Sequence, residues 1–426
     1  MKKIISAFLV FIMLVFTFIF PCSAVKDYNE WEKMWGNVKL SDGYIMLTPG
    51  TDRSKMNFSW QSPFKSQKGE IFISDTQNME NSTELSVKRS LCIFGFEWTQ
   101  EATAENLKAD TTYYYQYTSN GKKSEVYSFK TGSENETKFA FITDAQIGRS
   151  YLETDEETYS HDTYGWSKTV ETIVENNDVD FLLSAGDQVN TPTSEDEYTY
   201  FESPTALRSL PVATAIGNHE FYTTNYLHHF NNPNRNISVP RWPAGNGYFF
   251  CYNDILFVVL DSNSILLSAQ NKIISAALKA YPNVKWKIAM MHHSPFDANA
   301  ESEFGNLLSR VDVAPLFDKY NFDVVFCGHD HYYSRSYMVK NMKVTDDIEK
   351  NNVYTNPKGT LYITGNCGSG SNFSGIDESE INKYTDVCIQ NRIPGYSVIN
   401  VADGKMSIIT YETDTNTVID NVSIVK

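Results

Sequence analysis

Five short apolar runs in this sequence end on residues that bind metal ions. The runs stop at Asp144, Asp187, Asn218, His293 and a Gly-His-Asp-His block at 328–331, and each run has the length of a buried strand. Asp, Asn and His supply the oxygen and nitrogen ligands that suit Zn, Mn or Fe. Because open α/β sheets bind ligands at the carboxyl ends of their strands, we expect these side chains to meet in one place.

The number of ligands favours two metal ions over one. Asp187 follows an apolar run and a turn-forming glycine, and its two carboxylate oxygens can bridge two cations about 3.5–4 Å apart. In the loop after Gly328, His329 and His331 can each reach a different ion. A single strand-end Asp or a single His is usually structural, so the prediction depends on the set as a whole.

The elements that carry these residues predict a layered α/β domain. Apolar residues 166, 170, 173 and 174 have the spacing of one helix face, and further helices are expected at 195–208, 268–280 and 311–320. Strands are expected between them, at 138–142, 181–183, 211–216, 255–260, 286–290 and 322–326. Strands that alternate with helices are typical of a sheet covered by helices.

The region ahead of this domain reads as all-β. Short alternating runs separated by turn residues fill residues 27–132, and Asn120-Gly121 between two aromatic runs predicts a hairpin. The segment from Leu107 to Tyr113 resembles the tyrosine corner of a fibronectin type III sandwich. Polar residues 132–136 predict a linker.

The chain begins like an exported protein. Lys2 and Lys3 precede an apolar run at 4–20 and small residues near Ala24, which predicts a signal peptide at 1–24, with an uncleaved membrane anchor as the alternative. Without this leader the chain has 34 basic and 52 acidic residues, a net charge of −18. So acidic a surface argues against nucleic acid or an anionic membrane as the main partner, whereas bound cations would still admit an anionic substrate.

The cysteines do not form a disulfide framework. Five remain after Cys22, an odd and scattered set, in which Cys367 and Cys388 could pair.

The strand-end blocks together resemble those of the calcineurin-like metallophosphoesterases, and within them the purple acid phosphatases. The blocks concerned are Asp144, Gly186-Asp187, Gly-Asn-His-Glu at 217–220, His293, and 328–335, where Ser334 stands in place of the family's Glu. The resemblance implies a four-layer α-β-β-α sandwich at 137–426, preceded at 25–132 by a fibronectin-like β-sandwich.

The resemblance also implies a ligand set. The first ion would be held by Asp144, Asp187 and His331, and the second by Asp187, Asn218, His293 and His329. Either His292 or His293 could serve in the second set, and His293 is preferred because it lies two residues before a proline. His219 would contact the substrate phosphate or protonate the leaving group.

Two positions depart from the family's patterns. Purple acid phosphatases have a tyrosine three residues after the bridging Asp, where this chain has Asn190; other metallophosphoesterases have a His two residues after the first Asp, where this chain has Gln146. Either residue could give the first ion a neutral oxygen instead. We therefore predict a colourless protein that does not need ferric iron.

The expected function is that of a secreted acid phosphatase-like enzyme. It would hold two ions (Fe, Zn or Mn) and hydrolyse small phosphate monoesters by attack of a metal-bound hydroxide. One alternative is phosphodiester or nucleotide hydrolysis at the same site. Another is a surface-binding protein with a degenerate metal site, which Gln146 and Asn190 favour.

Overall fold

The computed structural model describes residues 44–93, 95–239, 242–264, 266–298, 304–346, 352–376, 379 and 381–426. The predicted leader at 1–24 lies outside them. Within the described ranges, no helix combines the length and apolar character needed to cross a membrane.

The amino-terminal unit consists of two antiparallel sheets. Its strands are β1 (Ile45–Pro49), β2 (Met56–Pro63), β3 (Ile71–Ser74), β4 (Thr83–Glu84), β5 (Lys88–Cys92), β6 (Glu97–Ala104), β7 (Thr112–Ser119), β8 (Lys122–Lys123) and β9 (Tyr127–Lys130). One sheet has the order β1-β2-β6-β5, and the other has β4-β3-β7-β8 with β9 also on β7. Their inner faces enclose a core that includes Phe58, Trp60 and Tyr115.

The hairpin predicted in this unit is confirmed. Asn120 and Gly121 form the two-residue turn between β7 and β8, both with positive φ (50° and 72°), as a hairpin turn of this kind requires. The hydroxyl of Tyr113 accepts the Lys108 N–H at 2.9 Å, which ties the start of β7 to the preceding loop.

The second unit begins with β10. Its strands are β10 (Glu136–Ile142), β11 (Phe181–Ser184), β12 (Val212–Thr214), β13 (Gly247–Tyr252), β14 (Ile255–Leu260), β15 (Trp286–Met290), β16 (Val324–Cys327), β17 (Tyr333–Ser336), β18 (Met338–Lys340), β19 (Lys343–Asp346), β20 (Val353–Thr355), β21 (Leu361–Thr364), β22 (Thr385–Ile389), β23 (Gly395–Ala402), β24 (Lys405–Glu412) and β25 (Val418–Val425). They form sheets β12-β11-β10-β23-β24-β25-β20 and β13-β14-β15-β16-β21-β17-β22, and a β18-β19 pair. The domain limits 25–132 and 137–426 stay predictions.

Helices cover the outer faces of the two large sheets. They are α1 (Asp155–Asn176), α2 (Glu195–Glu202), α3 (Tyr226–His229), α4 (Leu267–Ala280), α5 (Phe304–Leu308) and α6 (Ala314–Tyr320). Trp166 of α1 packs on the first sheet and Ile273 of α4 on the second. Between the sheets, Phe139 meets Phe257 edge to face, with ring centroids 5.2 Å apart. The four-layer α-β-β-α arrangement is confirmed.

Three helix predictions differ in detail. The helix expected at 195–208 ends at Glu202 and resumes as a short 3₁₀ segment, Thr205–Arg208, because Pro204 interrupts it. The helix expected at 311–320 begins as a π-helical turn, Ser309–Val313. Val174, expected on the buried face of α1, is 38% exposed.

The two units are joined by hydrogen bonds to α3. Ser59 Oγ donates to the His229 carbonyl at 2.6 Å, and Gln61 Nε2 donates to the His228 carbonyl at 2.7 Å. The buried His229 side chain lies between two carboxylates, with Nδ1 2.7 Å from Glu202 and Nε2 3.1 Å from Glu195. Burial alone would lower the pKa of His229, but Glu202 and Glu195 raise it to about 10.

We expect His229→Gln to reduce the free energy of unfolding by roughly 3–5 kcal/mol at pH 7, because it leaves the buried Glu202 and the half-buried Glu195 without their cation. The folded pKa of His229 is raised, so its stabilising effect is lost as pH rises toward 10 and the deficit of the variant should shrink. Urea unfolding at pH 7.5, 9 and 10.5 measures this. His228→Gln is the control, because burial lowers the pKa of His228 to about 4 and that residue stays neutral throughout. If the loss of unfolding free energy in His229→Gln does not change with pH, His229 is not a cation held between Glu195 and Glu202.

Candidate metal centre

The loops after five strands meet where the carboxyl ends of both large sheets come together. β10, β11 and β12 are parallel neighbours in one sheet, and β15 and β16 are parallel neighbours in the other. Gln146 N–H donates to the Asp187 carbonyl at 2.8 Å, which links the loops after β10 and β11. Gly328 N–H donates to the His292 carbonyl at 2.8 Å, which links those after β15 and β16. The chain thus gathers the predicted residues as expected for strand ends.

The backbone at this centre is strained. Asp144, Asp187, His329 and His331 have positive φ values of 51°, 49°, 75° and 54°, and Gln146 has 39°. Side chains other than Asn and Asp rarely adopt this conformation, and such residues cluster at functional sites. The strain turns each loop abruptly after its strand, so that the side chains point toward one another.

Two glycines allow the loops to approach closely. A Cβ atom at position 217 would lie 1.9 Å from Asp187 Oδ1, and one at position 328 would lie 2.6 Å from Asp144 Oδ2. Any side chain at Gly217 or Gly328 would therefore displace a carboxylate of the centre.

Four side chains converge on the side expected for the second ion. His292 Nε2 lies 3.2 Å from Asp187 Oδ2 and 2.9 Å from Asn218 Oδ1. His329 Nδ1 lies 3.0 Å from the same Asn218 oxygen, and ligand atoms of Asp187, His292 and His329 are all within 4.8 Å of one another. Ring nitrogens and acceptor oxygens face each other here, an arrangement that needs a proton or a cation between them.

The geometry favours His292 over His293 in this set. His293 Nδ1 bonds instead to Ser262 Oγ at 2.9 Å, while its neighbour His292 faces Asp187. Consecutive residues leaving a strand point to opposite sides, so the choice depended on side-chain direction rather than on distance from the proline. Burial, together with the rings of His329 and His292, lowers the pKa of His293.

The surroundings of His292 orient it as a ligand. Its Nδ1 lies 2.9 Å from the Ala185 carbonyl, which can only accept, so Nδ1 carries the hydrogen and Nε2 faces the centre. Burial alone would lower the pKa of His292, but Asp187 raises it to about 10. Binding of a metal ion at Nε2 would therefore release a proton.

The side expected for the first ion holds Asp144 and His331. His331 Nε2 lies 3.5 Å from Asp144 Oδ1, and His331 Nδ1 bonds to the Asn372 carbonyl at 3.2 Å, which again leaves Nε2 toward the centre. The other carboxylate oxygen of Asp144 accepts hydrogen bonds from Thr143 Oγ1 at 2.6 Å and from His329 N–H at 2.9 Å.

Buried oxygens without partners show that these residues fit a cation. Asp144 Oδ1, Gln146 Oε1 and Asn190 Oδ1 are buried and have no hydrogen-bond partner among the described residues. A buried acceptor left unpaired costs about 1–3 kcal/mol, so three of them in adjoining loops are unfavourable unless a positive group joins them. Two carboxylates, three histidines and neutral amide oxygens are a donor set that suits Zn, Mn or Fe.

His219 is held at both ring nitrogens. Nδ1 lies 2.6 Å from the Asn190 carbonyl and must donate to it, so Nε2 accepts from Gln146 Nε2 at 2.9 Å. The backbone N–H of His219 also donates to Asp187 Oδ1 at 3.0 Å. The imidazole lies beside the carboxylate of Asp187, with Nε2 3.9 Å from Asp187 Oδ2, and its Nε2 can take a proton once the Gln146 amide moves away from it.

The spacing of sequence blocks did not predict two carboxylates that hold these loops. Glu220 accepts N–H groups of Gly217 (2.7 Å), Asp187 (3.1 Å) and Val189 (3.2 Å), so it braces two loops. Glu197 accepts the N–H groups of Asn190 and Thr191 at 2.9 and 2.6 Å. Glu220 could have been found from sequence, because it ends the Gly-Asn-His-Glu block. Glu197 could not, because it lies in the first turn of a helix, where acidic residues are common.

Other candidate residues have structural partners. Arg335 bonds to Asp420 at 2.6 Å and to Asp386 at 2.6 Å, and Tyr333 donates to Asp420 at 2.7 Å, so they brace the last loop. Cys367 and Cys388, which could have paired, do not, because none of the five cysteines in the described part of the chain forms a disulfide.

Family models match both units of the chain. Residues 137–333 match the calcineurin-like phosphoesterase family, and residues 44–131 match the purple acid phosphatase N-terminal domain.

Individual relatives agree with these matches. Purple acid phosphatase 5 of Arabidopsis thaliana is 23% identical over 348 residues, covering 78% of this chain and 80% of the relative. Acid phosphatase type 7 of Mus musculus is 29% identical over 181 residues, 38% of this chain, and the match spans only 40% of the relative's length. Among solved structures, a purple acid phosphatase from yellow lupin (Lupinus luteus) superposes with a TM-score of 0.71 at 15% identity, covering 90% of this chain and 74% of the other.

The candidate ligands all lie within the part of the chain that the calcineurin-like phosphoesterase family matches. The chain therefore contains a calcineurin-like metallophosphoesterase domain, preceded by a purple acid phosphatase N-terminal domain, and its fold is similar to that of a purple acid phosphatase.

Asn190 leads to a prediction about colour. Purified protein loaded with ferric iron should show no visible tyrosinate-to-iron band, because an amide replaces the phenolate at this position. Asn190→Tyr, loaded in the same way, should gain the band in an absorption spectrum. A band in the unaltered protein would contradict the prediction, and Tyr151→Phe would then show whether Tyr151, whose hydroxyl lies 3.4 Å from Asn190 Nδ2, supplies it.

Proposed function

We propose that this protein is a binuclear-metal phosphatase that hydrolyses small phosphate monoesters. The supporting observation is the convergence of six side chains, several of them with ligand atoms facing one another across a gap. The proposed ligands are Asp144, Asp187 and His331 for the first ion, and Asp187, Asn218, His292 and His329 for the second, with Gln146 and Asn190 as neutral oxygen donors to the first.

The protein's own residues would prepare the substrate and the proton. His219 is 28% exposed at its side chain, so a phosphate ester can reach it from solvent. Once Gln146 releases Nε2, a protonated His219 can donate to the leaving oxygen of the ester. Glu220 accepts backbone N–H groups of Asp187 and Gly217, which fixes the position of His219 relative to the Asp187 carboxylate. When bound, the two ions would supply Lewis acidity for activating water and neutralising phosphoryl charge.

A comparison of two substrates tests this function. Protein stripped with a chelator and reloaded with Zn, Mn or Fe is assayed with p-nitrophenyl phosphate and with bis(p-nitrophenyl) phosphate. We expect metal-dependent turnover, faster with the monoester. Faster turnover of the bis ester would assign the protein to the phosphodiesterases instead. No turnover of either ester with any metal would overturn the hydrolase proposal in favour of a binding protein.

We propose that the protein acts outside the cytoplasm. The predicted leader at 1–24 supports this. The amino-terminal sequence of protein recovered from the native host measures whether cleavage occurs. An intact leader on membrane-bound protein would support the anchored alternative.

A further inference from the structure

The loop that follows the first metal-binding strand is held rigidly. Asp162 Oδ2, fully buried on α1, accepts backbone N–H groups from Gly148, Arg149 and Ser150 at 2.9, 2.9 and 3.3 Å. Three N–H donors on one carboxylate oxygen fix the path of the loop and direct the side chains at its end.

Tyr151, at the end of this loop, has an unfavourable conformation and an exposed ring. Its φ is 49°, a left-handed value that costs an aromatic residue energy, and its side chain is 62% exposed. An outlier that packing into the core does not explain points to a functional reason. The hydroxyl of Tyr151 lies 3.4 Å from Asn190 Nδ2.

Arg149 lies over that ring as a cation without an acidic partner. Its guanidinium is 5.0 Å from the Tyr151 ring centroid, and the described residues include no carboxylate within ion-pair distance of it. In a chain of net charge −16, a half-buried arginine that is stacked but unpaired is available to an anion from outside.

This pair lies at the rim of the proposed active site. The Asn190 carbonyl accepts from His219 Nδ1, while the Asn190 side chain contacts the Tyr151 hydroxyl. One residue therefore separates the proposed proton donor from the Arg149–Tyr151 pair. The leaving oxygen would lie at His219 Nε2, which faces Gln146 at 2.9 Å, and the Arg149 N–H donates to the Gln146 carbonyl at 3.2 Å. A group attached to that oxygen would therefore lie beside the loop that carries Arg149 and Tyr151.

We propose that Arg149, stacked on Tyr151, binds a second anionic group carried by the leaving group of the substrate. This inference rests on the proposed function and narrows the substrate to phosphate esters that bear a further carboxylate or phosphate. Arg149 supplies a planar, bidentate donor for either group, and Tyr151 positions it. Since the pair touches the leaving group, it selects among substrates and takes no part in the transfer of phosphate.

The test uses matched ligands that differ in one charge. Isothermal titration calorimetry on the metal-loaded full chain compares 4-carboxybenzylphosphonate with 4-carbamoylbenzylphosphonate, neither of which can be hydrolysed. We expect the carboxylate to bind about tenfold more tightly, as one charge-assisted contact allows. Arg149→Gln should bring the ratio of dissociation constants close to one. Arg149→Lys should give a ratio between those of the unaltered protein and Arg149→Gln. A third ligand carries a second phosphonate in place of the carboxylate. Its dissociation constant, compared with that of the carboxylate ligand, shows which of the two anionic groups Arg149 binds more tightly.

Controls separate this inference from the function it rests on. Lys122→Gln removes an exposed cation from β8 and should leave the ratio as in the unaltered protein. The same ratio of dissociation constants for the two ligands in the unaltered protein and in Arg149→Gln would overturn the inference. So would no binding of either phosphonate. If the phosphonates bind with the expected ratio but no ester is hydrolysed, the inference stands and the proposed hydrolysis fails.

Discussion

Asp187→Asn should lower kcat/KM for p-nitrophenyl phosphate by about a thousandfold or more, because the change removes the one charge placed between both sets of ligands. Asp187 is 1% exposed, its Oδ2 faces His292 at 3.2 Å, and its Oδ1 accepts the His219 N–H at 3.0 Å. Asparagine keeps the shape of the side chain but has one neutral oxygen and no capacity to bridge two cations. We expect the variant to fold and to lose at least one ion.

Metal content and kinetics measured on the same preparation check this result. Asp323→Asn is the matched control, because Asp323 is a buried carboxylate at the opposite end of β16, bonded to Lys287 N–H and to Lys426. That variant should lose stability but keep both ions. An Asp187→Asn protein that retains two ions per chain and most of its activity would refute the bridging role.

The second large effect distinguishes two adjacent histidines. His292→Ala should remove the second ion and lower kcat/KM by about a hundredfold to a thousandfold, because Nε2 of His292 faces both Asp187 and Asn218. His293→Ala should leave the metal content unchanged, since the ring of His293 bonds to Ser262. Any loss of activity in that variant would come from its contact with the His329 ring, 4.6 Å away between centroids.

Metal stoichiometry decides between the two histidines more directly than activity does. Each variant is dialysed against the same metal solution, and the ions per chain are counted by elemental analysis. Full content in His292→Ala together with a lost ion in His293→Ala would restore the assignment made from sequence. Circular dichroism of both variants shows whether the fold is intact.

The position of the centre could be predicted from sequence because it depends on a general property of sheets. Each apolar run is long enough to cross the buried layer once, and the polar residue after it must then emerge at the carboxyl end of a strand. Asp144, Asp187, Asn218 and the block at 328–331 all follow that rule, and the layered arrangement of strands and helices follows from the same periodicity. Gly217 and Gly328 were visible in the motifs, although the reason for them, a carboxylate within 3 Å of the missing Cβ, was not.

The residues of this chain determined which strand ends carry the candidate ligands, that an all-β unit precedes the α/β unit, and that a phenolate is absent at position 190. Only the tertiary structure decided that His292 and not His293 faces Asp187, that Glu220 and Glu197 hold the loops, and that Arg149 lies on Tyr151 beside Asn190. The periodicity of strands and helices in a sequence predicts which residues lie at the end of a sheet strand or on one face of a helix. The direction of each side chain there depends on loop strain and on hydrogen bonds to segments distant in sequence, which no local pattern contains.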